Sequence, residues 1–104
     1  MNIWAIKDKF DKLGIEIKIL FTIMLISDEN GVSKVEKEKI SKYLKTTAQT
    51  VGKYLKNFVE CDILKFKYNG KTMLNPDFYF NGSESARDNA KKLYQEFKSD
   101  IKIQ

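Results

Sequence analysis

Residues 45–74, KTTAQTVGKYLKNFVECDILKFKYNGKTML, decide the fold, because the hydrophobic period inside them changes from helical to two. Val51, Leu55, Phe58 and Val59 recur at i, i+4, i+7 and i+8, which predicts a helix from Thr47 to about Cys61. The Thr47 hydroxyl suits the cap of its first turn, whose N–H groups have no partner within the helix. Ile63 to Tyr68 then reads as a strand, Asn69-Gly70 as a two-residue type I′ turn, and Lys71 to Leu74 as the returning strand. In that register Phe66 faces Met73 and the two share a core-facing side, while Lys65, Lys67 and Thr72 point the other way.

Working outward, a second helix is expected from about Glu36 to Lys45. Ile40, Tyr43 and Leu44 form its inner face, and Lys37, Lys39 and Lys42 lie mostly outside. Only Lys45, Thr46 and Thr47 separate it from the helix that follows, so the two must cross steeply, as in a helix-turn-helix unit. Ser27 to Gly31 forms a turn, with Gly31 suited to a positive φ. Ile15 to Ile26 is apolar nearly all round and is expected to be a buried central helix; it is too short to span a bilayer. Ile3, Ile6, Phe10 and Leu13 mark an amphipathic helix ended by Gly14.

Beyond the ribbon, Asn75-Pro76-Asp77 stops the strand, and Phe78, Tyr79 and Phe80 are expected to pack its base onto the helices. A last helix starts near Ser83 or Ser85 with Ala86, Ala90, Leu93, Phe97 and Ile101 on one stripe. The expected fold is mainly α with a small β-hairpin (α+β). Residues 1–104 form one domain: an N-terminal helix at 1–14, a core with the ribbon at 15–80, and a C-terminal helix at 83–101.

Composition narrows the function. The chain has no histidine, the commonest general base and metal ligand, so neither catalysis nor a metal or cofactor is expected. The single cysteine, Cys61, excludes an intramolecular disulfide and is expected as a small core residue of a cytoplasmic protein. No signal peptide is apparent, since Trp4-Ala5-Ile6 runs straight into Lys7-Asp8-Lys9. The formal charge is +5, unevenly spread: between Gly31 and Thr72 ten lysines meet four acids, while the two ends of the chain carry no excess. A positive segment of that kind is the electrostatic footprint of a polyanion partner.

The order helix, central helix, helix, turn, helix, hairpin, helix resembles a winged helix-turn-helix over residues 15–80. The resemblance implies double-stranded DNA as partner, with the helix after the turn in the major groove and the hairpin as a wing. The DNA-facing residues it implies are Lys42, Lys45, Thr47, Ala48, Gln49, Thr50, Lys53 and Lys56 of the helical unit, with Lys65, Lys67, Asn69 and Lys71 of the wing. Gln49 matches the paired donor and acceptor of adenine, and Lys53 the acceptors of guanine. Gly52 has two explanations, close packing against another helix or room for the backbone to approach DNA. Two positions depart from the family: Asp62 replaces the glycine that commonly ends the reading helix, and the corner reads Lys45-Thr46-Thr47.

Residues 73–82, MLNPDFYFNG, and the Leu93-Tyr94-Gln95-Glu96-Phe97 helix resemble the region after the wing in small winged-helix replication proteins of Gram-positive plasmids. That likeness implies a non-catalytic accessory at an origin of replication, partition or conjugative transfer, one that recruits or positions an origin-processing enzyme. A transcriptional repressor, or a winged helix used for protein contact, would carry the same pattern. A homodimer is expected, because one such domain reads only a few base pairs. Its interface is expected on Ile3, Ile6, Phe10, Leu13, Leu93, Phe97 and Ile101.

Overall fold

The computed structural model describes residues 14–67, 69–80 and 82–99. The expectations for Ile3, Ile6, Phe10, Leu13, Tyr68 and Ile101 lie outside them. Among the described residues the order is α1 (Ile15–Ile26), β1 (Val32–Lys34), α2 (Lys37–Leu44), α3 (Ala48–Glu60), β2 (Leu64–Phe66), β3 (Lys71–Leu74) and α4 (Glu84–Glu96). The strands form one antiparallel sheet in the order β1-β3-β2.

α3 folds as its period predicts. Thr47 caps it, its hydroxyl accepting the Thr50 N–H at 3.1 Å, and Val51, Leu55, Phe58 and Val59 are all buried. They pack with Ile19 and Ile23 of α1, Ile40 of α2, and Val35, Leu64, Phe66 and Leu74. Each helix of the pair ends in the same way. Thr46 N–H bonds Ser41 O and Lys45 N–H bonds Lys42 O; Ile63 N–H bonds Phe58 O and Asp62 N–H bonds Val59 O. These paired bonds satisfy the last carbonyls and need one left-handed residue, supplied by Lys45 (φ 58°) and Asp62 (φ 56°).

Several expectations are corrected. β1 was not foreseen: its three residues, Val-Ser-Lys, carry too short a pattern, and its pairing with β3 spans some forty residues of chain. The Asn69-Gly70 turn is not type I′, which needs positive φ at both central residues; only Gly70 has it, at 94°. Instead Gly70 N–H bonds Lys67 O, and Lys67 N–H bonds Lys71 O, which makes the loop one residue longer. The register therefore slips by one, pairing Phe66 with Thr72, Lys65 with Met73 and Leu64 with Leu74. Leu64, Phe66, Thr72 and Leu74 face the main core, and Met73 turns to the opposite face with Lys65.

Tyr43, expected inside, is 72% exposed. α1 buries Ile19, Thr22 and Ile23 but carries Ile17, Leu25 and Ile26 at the surface, so it is covered on one side rather than all round. Cys61 is exposed, because it sits at the end of α3 beyond the packed turn.

The opposite face of the sheet is covered by α4. Ser83 caps this helix by accepting the Ala86 N–H at 3.2 Å. Its buried line is Ala90 and Tyr94, joined by half-buried Phe97, around Met73, Val32 and Phe80; Leu93, foreseen on that stripe, is 47% exposed. The helix stops at Glu96 rather than 101. Phe78 is also exposed, while Tyr79 joins the main core.

Candidate nucleic-acid interface

α3 projects one open line. Gln49, Lys53 and Lys56, at i, i+4 and i+7, are exposed, with half-buried Ala48, Thr50 and Asn57 beside them. Lys42 of α2 and Lys45 at the corner are exposed next to its start. Lys53 leans along its own helix, its ammonium 5.6 Å from the centre of the Tyr54 ring. The Thr47 hydroxyl donates to Thr50 Oγ1 at 2.9 Å while it caps the helix, so it is engaged in holding the first turn.

The lysines of the ribbon divide into two kinds. Lys65 turns back onto α4: its ammonium donates to the Tyr94 carbonyl at 2.6 Å and stands 4.3 Å from the centre of the Tyr94 ring. The carbonyl lies in the last turn of α4, where the helix dipole favours a cation. Lys67, half-buried, and Lys71, exposed, flank Phe97, their ammonium groups 5.1 and 6.0 Å from the ring centre. Asn69 is exposed; its Oδ1 accepts the Lys71 N–H at 2.9 Å and braces the turn.

Sequence reasoning missed Lys34. The register of β1 with β3 puts it directly opposite Lys71, so two cations sit side by side next to Lys67. Like charges placed opposite one another in a sheet repel. Only the pairing of β1 reveals that arrangement, and no local signal in the sequence announces the strand.

Gly70 makes the close approach possible. With φ at 94°, it gives its carbonyl to the Val35 N–H at 2.8 Å, and a Cβ there would stand 2.8 Å from Val35 O. At Gly52 another helix does pack close, through a side chain of α2. The space beside it is filled by the Lys37 side chain, whose nearest atom lies 3.5 Å from where a Cβ would be.

Ion pairs avoid this surface. Among the described residues the salt bridges are Lys39–Glu36, Arg87–Asp77 and Lys91–Asp77. Lysines 34, 37, 42, 45, 53, 56, 67 and 71 have no carboxylate partner there. Asp77, by contrast, is held below its ordinary carboxylate value, chiefly by its hydrogen bond with Lys91. The lysines of α3 and the sheet turn are thus left without carboxylate partners among the described residues, whereas Asp77 pairs with Arg87 and Lys91.

A helix-turn-helix backed by a three-stranded sheet, with a lysine-bearing turn between the last two strands, is consistent with a winged helix. The chain belongs to the Firmicute plasmid replication protein (RepL) family, whose model matches residues 5–103. No curated protein and no solved structure is significantly similar to it. No helix among the described residues is long and apolar enough to cross a membrane.

Proposed function

We propose that this chain is a sequence-specific double-stranded DNA-binding protein that acts, without catalysis of its own, at the replication origin of a plasmid. In this reading Gln49 and Lys53 of α3 meet base edges in the major groove. Lys42, Lys45 and Lys56 meet phosphates beside it, and Lys34, Lys67, Asn69 and Lys71 meet the adjoining backbone or minor groove. Lys65 is left out of the contact set, since its ammonium already holds the end of α4. The observation that carries the reading is the run of unpaired lysines on α3 and the sheet turn, in a chain of a plasmid replication family. The bound protein would then position a replication enzyme on the DNA.

We further propose that it binds as a homodimer on repeated half-sites, with exposed Leu93 of α4 in the interface. The test is footprinting on the whole plasmid alongside binding to a random duplex. Protection of repeats inside one replication region, with much weaker random binding, is expected. Footprints scattered over promoters would instead identify a repressor, and absence of duplex binding would remove the reading.

A further inference from the structure

Lys37 opens α2, yet its side chain does not run out into water. It is half-buried and lies flat across α3 at Gly52, where a Cβ would meet its Nζ at 3.5 Å, its Cε at 3.7 Å and its Cδ at 3.8 Å. The same ammonium stands 5.4 Å from the centre of the Phe66 ring in β2. Three elements therefore converge on one cation: α2 supplies it, α3 offers bare backbone for its stem, and β2 offers a ring face. Glu36 is its chain neighbour, but the Glu36 carboxylate pairs with Lys39 instead. Among the described residues Lys37 has no carboxylate partner.

We propose that Lys37 is a DNA-phosphate contact seated in the saddle between α3 and the sheet turn, its stem resting beside Gly52. The proposal rests on the duplex-binding reading. A duplex that places its major groove on α3 and the adjoining groove on the turn presents the backbone ridge between them to that saddle. A cation fixed there meets phosphate, whatever the base sequence. The Phe66 ring and the uncovered Gly52 backbone keep the stem from wandering, so the charge is in place before DNA arrives.

A purely structural role, in which the stem only covers Phe66 and α3, makes a different prediction, because methionine also covers them. The experiment uses the full chain and its K37M, K37R and K39M variants, with anisotropy on a random-sequence duplex at several salt concentrations. For K37M, the slope of log K against log salt is expected to shrink by about 0.9, with affinity falling several-fold. K37R keeps the wild-type slope, and so does K39M, whose lysine is paired on the far side with Glu36. Wild-type slope and affinity in K37M, or an equal loss in K39M, would overturn the assignment while leaving the duplex reading intact. Wild-type protein that binds no duplex would remove that reading, and this assignment with it.

Discussion

Lys45 and Asp62 hold left-handed backbone at 58° and 56° where glycine is the relaxed choice, and the two positions are not equivalent. The Lys45 side chain is exposed and has no hydrogen bond or ion pair within the described fold. Lys45→Gly should therefore raise stability by up to about 1 kcal/mol, the left-handed penalty less the glycine entropy cost. Thermal melting would register it as a rise of a few degrees. Asp62 instead accepts the Tyr94 hydroxyl at 2.6 Å on Oδ1, and its carbonyl accepts Asn75 Nδ2 at 2.8 Å. Asp62→Gly relieves the same strain but loses a charge-assisted bond of about 1.5 kcal/mol, so no gain in melting temperature is expected. Gly52→Ala should stabilise α3 by about 1 kcal/mol, since the new Cβ meets Lys37 at ordinary contact distance. A drop in its melting temperature would show that Lys37 cannot give way. Ser33 carries a buried hydroxyl with no partner among the described residues, so Ser33→Ala should be neutral or stabilising in the same assay.

At the scale of elements, α4 closes the outer face of the sheet through Ala90, Tyr94 and Met73. Tyr94 is its anchor: burial, and then the hydrogen bond to Asp62, push the phenol well above its ordinary 10.0. A group whose folded value is raised gives stability that is fully present below the unfolded value and is lost as pH rises beyond it. The wild type should therefore weaken above about pH 10 as the unfolded tyrosine ionises, and Tyr94→Phe should flatten that alkaline limb relative to wild type. Identical limbs in the two proteins would place the effect elsewhere. Farther along, the Ser99 hydroxyl donates to Phe66 O at 2.8 Å and accepts Phe66 N–H at 3.2 Å, which closes the open edge of β2. Ser99→Ala should speed hydrogen exchange at Phe66, with a stability loss of about 1 kcal/mol. The described helices and the strands β2 and β3 were legible in the sequence because periodicity is local, whereas β1 was not. Nor were the faces shown by Thr72 and Met73, because one residue more in the turn reversed them.

Across the whole molecule, charge is sorted. Salt bridges hold the Asp77 region to α4, whereas the lysines of the α3 and sheet-turn surface have no carboxylate partner among the described residues. If four to six of these meet phosphates, the log K against log salt slope should be about −0.9 for each. A flat salt response would mean that the surface serves another partner. The same separation leaves Leu93 on the outside of α4. Leu93→Lys should shift a dimer to monomer in light scattering with little change in melting temperature, since this side chain lies outside both cores. An unchanged mass would place any interface elsewhere.

The lysine-rich stretch from Lys45 to Leu74 determined by itself that a capped helix is followed by a β-ribbon, because a cap, a 3.6 period and an Asn-Gly turn act within a few residues. It also fixed where the excess positive charge resides. Only the tertiary structure decided which lysines remain free. Pairing with β1 set Lys34 beside Lys71, the docking of α4 took Lys65 out of the open surface, and the packing of α2 on α3 laid Lys37 beside Gly52. Each of those outcomes depends on contacts between residues far apart in the chain, and no local pattern of side chains encodes them.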